Sequence, residues 1–409
     1  MESIPKPYST RNAAIDMLRA LTMFTMIFVN DFWKVHDIPS WMDHAKYGED
    51  FMGLADFVYP TFMFVVGMSI PYAIERRYVK GYSEKSTMGH ILTRTLALLI
   101  MGAFITNSEA RLAPDFSLYR IGVYWFIMAA GFIGIWNMYP SNPSKGQKRL
   151  FTSFKIIGAA LLVFLAITFR SPRGVFTASW GILGSIGWTY LFCAIAYFFC
   201  RDNLKKLSGV LLFLLFVLIT STPLREGFGG KPILDLPQPN FYDSFLRLLH
   251  IGNGAMPFLA TSGMILSVLT EKNKEKSGVW ELSACLIGSV VLLMLGLLTH
   301  RFWIAAKLGA TPPWVFFVMA IAVALYGFLA MLERHSLTGW FKLIKPAGTA
   351  TLTAYLVPYV FYGFADVTGV VLPDWFTHGW ASIVNCLCFA FVVILVTGIL
   401  EKLHIKLKI

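Results

Sequence analysis

The sequence predicts an all-α polytopic membrane protein of about twelve transmembrane helices with both termini in the cytoplasm, and three observations lead there. The 409 residues are 56% hydrophobic and only 14% charged, and the mean hydropathy is +0.62, which is not the balance of a water-soluble domain. Apolar runs of about 17 to 25 residues recur, each long enough to cross a hydrocarbon core about 30 Å thick as an α-helix. Helices are required because unpaired backbone groups cannot face lipid. Finally, Lys and Arg are dense in every second connection and sparse in the others.

The spans read as 12–34, 54–75, 88–107, 118–138, 152–169, 180–200, 204–222, 250–270, 279–299, 313–333, 347–364 and 378–401. With the N-terminus inside, the cytoplasmic segments begin with Lys6 and Arg11 and hold 22 basic residues in all. The outer segments hold eleven: Lys34, Lys46, Arg111, Arg120, Arg170, Arg173, Arg225, Lys231, Arg247, Arg301 and Lys307. Cations resist translocation, so a two-to-one bias fixes this orientation. It also explains the net charge of +12 without a nucleic-acid partner, and none is expected.

The opening "MESIPKPYST" is polar, and the first apolar run is broken by Asp16 and Arg19. No cleavable signal peptide is therefore expected, and that run should stay as the first helix. Cys193, Cys200, Cys285, Cys386 and Cys388 all fall in expected helices, so no structural disulfide is implied. No His/Cys cluster has zinc spacing, so no metal is expected. The phosphate-binding patterns G-x-x-x-x-G-K-[ST] and G-x-G-x-x-G and the nucleophile pattern G-x-S-x-G are also missing.

Polar chemistry concentrates between the first two spans. Residues 30–67, "NDFWKVHDIPSWMDHAKYGEDFMGLADFVYPTFMFVVG", place six of the chain's 23 acids and two of its eight histidines beside strongly apolar segments. His44 lies in a loop pinned at both ends to the membrane surface. Asn30 at the end of the first helix and Asp56 at the start of the second are close enough in sequence to orient its imidazole for proton or acyl transfer. Asp56 also suits plain helix capping, and Pro60 an early turn of that helix. Asp31 and His250, at outer helix ends, are candidates for the same pocket. Asp16 and Arg19 stand three apart on one helical face, where a buried ion pair and a ligand site are both open readings. Arg94, inside the third span, is a further candidate for holding an anionic group.

These residues carry a resemblance. "AIDMLRALTMFTMIFVN", a loop histidine, then "LADFVYPTFMFVVGMSI" resemble the membrane acetyltransferase family of heparan-α-glucosaminide N-acetyltransferase and its bacterial relatives. Asp16, Arg19, Asn30, His44, Asp56, Pro60 and Gly67 fall on the family pattern, and the motif region is 1–75. "GAMPFLATSGMIL" and "TATLTAYLVPYVF" look like later family helices. The resemblance implies one transmembrane acyltransferase-like domain over 1–409, in a bacterial plasma membrane. It implies acetyl-CoA as cytoplasmic co-substrate and an amino sugar or glycan acceptor on the other face. His44 would then be catalytic, with Asn30 and Asp56 at the reacting end; Arg19, Arg94 and Asp16 would serve the cofactor, and Asp31 and His250 the acceptor. Membrane lipid is the surrounding partner, and a homodimer is allowed.

The chain departs from the pattern in three places. An expected L-Q-R-[LI]-G segment reads "ILGSIGW" at Ile182 to Trp188, a G-H-E reads Val357-Pro358-Tyr359, and 118–169 reads as an inserted helix pair. From the residues alone a second class stays open, a proton-coupled small-molecule or sugar transporter in which Asp16, Asp56 and His44 titrate. The missing internal repeat and the crowding of polar groups at an outer mouth count against it.

Overall fold

The computed structural model describes Tyr8 and residues 12–109, 119–140, 142–172, 174–224 and 230–409. Lys6, Arg11, Arg111, Arg173 and Arg225 of the charge census lie outside the described residues, as does the first residue of the fourth expected span.

Helices dominate. In chain order they are α1 (Ala13–Asn30), α2 (Leu54–Val79), α3 (Glu84–Glu109), α4 (Ile121–Trp136), α5 (Lys145–Thr168), α6 (Gly181–Cys200) and α7 (Leu204–Ser221). They continue with α8 (Phe241–Leu249), α9 (Ala255–Lys272), α10 (Gly278–Thr299), α11 (Pro312–Arg334), α12 (Phe341–Thr349), α13 (Thr351–Thr368) and α14 (Gly379–Lys402). Among the described residues the only strands are a two-residue pair, Arg170–Ser171 antiparallel to Gly174–Val175.

Nine of these helices are long and apolar enough to cross a membrane among the described residues: α1, α2, α3, α5, α6, α7, α10, α11 and α14. The other three expected spans also fall on helices. The fourth is α4, of 16 residues, while the eighth and eleventh are α9 and α13, of 18 residues each. The last two carry Ser, Thr, Gly and Pro among their apolar residues, which lowers their hydropathy. On α10, Ile287, Val290, Val291 and Met294 are exposed, and α5 exposes Ile156, Ile157, Val163 and Ile167. Such surfaces would drive association in water, and they suit hydrocarbon.

Two compact units divide the chain. The first comprises Met1–Thr22, Pro39–Thr95 and Trp188–Lys342; the second comprises Met23–Ile38, Leu96–Gly187 and Leu343–Ile409.

In the first unit α2 packs on α9, α10 on α11 and α7 on α9. The α2–α9 crossing depends on missing side chains. A Cβ on Gly67 would stand 1.8 Å from the Ala260 carbonyl oxygen, and one on Gly263 2.1 Å from that of Phe64. Small residues let two backbones touch where no aqueous hydrophobic effect drives the helices together. Around this crossing Met17, Leu18, Phe64, Met68 and Tyr326 form one buried cluster, and Tyr190, Tyr197, Leu207, Ala260 and Met264 another. The N-terminus of α1 is closed by side chains, since its first amides would otherwise lack acceptors. Asn12 Oδ1 accepts from the Ile15 amide at 3.1 Å, and Glu333 accepts from those of Ala13 and Ala14.

The second unit uses the same device. Gly131 and Gly134 of α4 meet Gly158 of α5, and Gly122 of α4 meets Gly363 of α13. The α4–α5 pair occupies the segment read as an inserted helix pair.

Pro60 is the seventh residue of α2, in its second turn. Lacking an N–H, it leaves the Asp56 carbonyl without its helical donor. The indole of Trp314 donates to that oxygen at 3.2 Å, so the helix continues through the proline.

Candidate functional site

The site in the first unit begins with how the 39–53 loop lies on the start of α2. The Leu54 amide donates to the Trp41 carbonyl at 2.8 Å and the Ala55 amide to that of Met42 at 3.2 Å. Free amides of a helix N-terminus thus hold the loop down. Gly53 makes the fit possible, because any Cβ there would sit 1.8 Å from the Asp43 carbonyl oxygen. His44 follows directly, its amide donating to the Asp43 carboxylate at 2.7 Å.

Asp56 is 1% exposed and is the centre of the arrangement. Its Oδ2 accepts from the amides of Ala45 (2.9 Å) and Gly53 (3.1 Å). Its Oδ1 lies 2.9 Å from Nδ1 of His44 and 3.6 Å from Nζ of Lys307. Lys307 Nζ is also 3.0 Å from His44 Nδ1. Burial pulls the Lys307 ammonium below the ordinary lysine range, and the Asp56 carboxylate pulls it back up. Asp56 thus caps the helix through the Gly53 amide and contacts the His44 ring through its other oxygen.

These distances accommodate two tautomers. With Nδ1–H donated to Asp56, Nε2 carries a lone pair and acts as base or nucleophile. With Lys307 donating to Nδ1, Nε2 carries the proton and acts as acid. The His44 side chain is 43% exposed, so the outer edge of the ring is reachable. Asp–His pairing of this kind fixes the orientation of an imidazole for proton transfer.

Lys307 is the residue that reading the sequence missed. It lies 263 positions from His44, in the connection between α10 and α11, and only its place among the outer cations marked it. That connection is pinned by another acid of the same loop: Asp50 Oδ1 accepts from His300 Nε2 at 2.7 Å and from the Ala305 amide at 2.8 Å.

The other expected residues divide between the two units. Asp16 and Arg19 form an ion pair at 3.0 Å, and Arg19 also donates to Ser69 Oγ at 3.0 Å. Arg94 lies over the Tyr190 ring at 4.6 Å, and its Nε is buried without an acceptor. The His250 ring stacks on Trp188 at 3.8 Å. All of these belong to the first unit. Asn30 and Asp31 belong to the second. Asn30 is exposed and lines a cavity of about 1420 Å³. Asp31 is 3% exposed, pairs with Lys34 at 2.8 Å and accepts from the Tyr362 hydroxyl at 2.8 Å.

Residues 11–136 match the model of the family described as "Heparan-alpha-glucosaminide N-acetyltransferase, catalytic". Among curated proteins, the mouse heparan-alpha-glucosaminide N-acetyltransferase is 26% identical over 146 residues, covering 33% of this chain and 21% of the relative. The human protein of that name is 28% identical over 131 residues, covering 29% of this chain and 18% of the relative. The match thus spans about a fifth of the length of these relatives. The family-model match includes α1, the His44 loop, α2, α3 and α4, and with them His44 and Asp56. On these matches, the N-terminal third of the chain is similar to the catalytic region described for heparan-alpha-glucosaminide N-acetyltransferases.

Proposed function

We propose that the protein is a membrane acetyltransferase that moves an acetyl group from cytoplasmic acetyl-CoA to an amino sugar or glycan on the outer side of a bacterial plasma membrane. The observation that carries this reading is the His44–Asp56 contact, held at the N-terminal end of a membrane-length helix within the family-matched segment.

In direct transfer, Nε2 of His44 takes a proton from the acceptor amine as its nitrogen attacks the thioester carbonyl. The C–N bond forms, the C–S bond breaks and CoA leaves as thiolate, which regains a proton. In the covalent alternative, Nε2 itself attacks the thioester and the acetyl-imidazole then passes its acetyl group to the amine. Asp56 stabilises the imidazolium in both. Arg94, with its orphaned buried Nε, is the better candidate for the CoA phosphates, because Arg19 is already engaged by Asp16 and Ser69. A phosphate oxygen would give Arg94 the charge-assisted acceptor that it lacks.

Purified protein incubated with acetyl-labelled CoA tests the reading: release of CoA must depend on an amino-sugar acceptor, and the label must appear on that acceptor. Uptake of a sugar into proteoliposomes without acetylation would establish the transporter instead. Sidedness is checked with single cysteines on a background lacking the native five. A cysteine at Lys46 should react with an impermeant thiol reagent on intact cells, and one at Lys145 only after lysis. The opposite pattern would invert the topology and leave cytoplasmic acetyl-CoA on the wrong face.

A further inference from the structure

The connection between α10 and α11 is pinned along its whole length. The Trp303 indole donates to the Thr222 carbonyl at 3.0 Å. Asn253 Nδ2 donates to the carbonyls of Gly309 at 3.3 Å and Ala310 at 3.0 Å. Thr311 Oγ1 accepts from the Ala306 amide at 3.0 Å, and Asp50 accepts from that of Ala305. Ala310 is held at a φ of +44°, a strained value for a residue with a Cβ, which persists only where the surroundings enforce it.

These contacts place one primary amine. Lys307 Nζ is 3.0 Å from His44 Nδ1 and 3.6 Å from Asp56 Oδ1, and 22% of the Lys307 side chain stays exposed. Burial favours its neutral form, the one that carries a nucleophilic lone pair. An amine, a neighbouring base and a carboxylate beside that base are the parts of an activated nucleophile.

We propose that Lys307 is an acylation site, taking an acyl group from a small activated donor with His44 as its base. The neutral amine attacks the acyl carbonyl, the C–N bond forms, and the bond to the leaving group breaks with its electron pair. The proton shed by the nitrogen passes to Nδ1 of His44, in the tautomer that carries its own proton on Nε2. The product amide has no charge, so acylation removes the cation that faces Asp56 and His44. The site rests on geometry within the first unit; only acetyl-CoA as its donor rests on the acetyltransferase reading.

The experiment gives full-length protein in nanodiscs a limiting pulse of the N-hydroxysuccinimide ester of labelled acetic acid, a donor that needs no cofactor site. Peptide mass spectrometry reads the label at each lysine. Lys307 should be labelled faster than Lys46 and Lys231, although both of those are exposed. His44→Ala should slow labelling at Lys307 by about 10²-fold, the lower end of what loss of a general base costs, and leave Lys46 and Lys231 as they were. Labelling no faster at Lys307 than at the exposed lysines, or a rate there that His44→Ala does not change, overturns the proposal. A second pulse uses labelled acetyl-CoA without acceptor. Label at Lys307 from both donors supports the site and the donor, while label from the ester alone keeps the site and removes acetyl-CoA as its donor.

Discussion

Two buried aspartates, one in each unit, have nearly the same ingredients and opposite prospects. Asp56 and Asp31 are 1% and 3% exposed, each stands at or next to a helix end, and each has a lysine nearby. Around Asp31 the group closes on itself: Lys34 pairs with it, the Tyr362 hydroxyl donates to it, and the Lys34 ammonium sits 3.7 Å above the Tyr362 ring. Around Asp56 the closure is incomplete, because one partner is an imidazole whose side chain is 43% exposed. A buried carboxylate with all its partners inside is architecture, since desolvation offsets most of what the pair gains. A buried carboxylate that holds a ring reaching outward can do chemistry. The difference therefore lies in the partner and not in the acid.

The strongest way to break this comparison is His44→Ala. Loss of a general base costs about 10²- to 10⁴-fold in rate, and a half-exposed loop imidazole removes little packing, so acetyl transfer should collapse while the unfolding midpoint stays. Wild-type turnover in this variant would make Asp56 as architectural as Asp31. Asp56→Asn comes next. The amide offers one oxygen where two backbone amides and an imidazole N–H need acceptors, and its NH₂ must face one of those donors. Turnover should fall less than in His44→Ala, and stability should drop by about 1–3 kcal/mol, the cost of a buried unsatisfied group. Denaturant titration alongside the acetyl assay separates the two effects.

The sequence made half of this comparison legible. Hydrophobic run length alone located the helices, because a span must satisfy its backbone internally. The crowding of acids and histidines between the first two spans located His44 and Asp56, twelve residues apart and so reachable by local reasoning. Gly67 was visible as part of a motif, but its reason, contact with the Ala260 backbone, was not. Lys307 was out of reach because its partners lie more than 250 positions away and no periodicity encodes such a pairing. Asp31, an acid beside Asn30 at a helix end, was visible as a candidate binding group, but its contact with Tyr362, 331 positions on, was not. Pro60 was visible as an early-turn residue, but the Trp314 indole that donates to the Asp56 carbonyl was not.

A finer test acts on Lys307. Its cation lies 3.0 Å from the imidazole and 3.6 Å from the Asp56 carboxylate. Lys307→Met removes a charged donor from both, so turnover should fall, but by less than in His44→Ala, and Lys307→Arg should keep part of it. Parallel acetyl assays of the two variants measure this directly. Unchanged turnover with a lower melting temperature would reduce Lys307 to a structural partner of Asp56.

The smallest effect on chemistry should come from the other aspartate, which is why it sharpens the comparison. Asp31→Asn removes the charge that Lys34 faces and weakens the hydrogen bond from Tyr362, while the carboxylate itself is only 3% exposed. Lys34 retains 26% of its side-chain exposure, so water relieves part of the loss. The cost should be about 1–2 kcal/mol, between that of an exposed ion pair and a fully buried one. Melting temperature should fall by a few degrees, with turnover per folded molecule and the pH profile unchanged. Adding Lys34→Met should restore part of the stability by removing the stranded cation. A fall in turnover for Asp31→Asn without a fall in melting temperature would reverse the assignment and make Asp31 part of the reacting machinery.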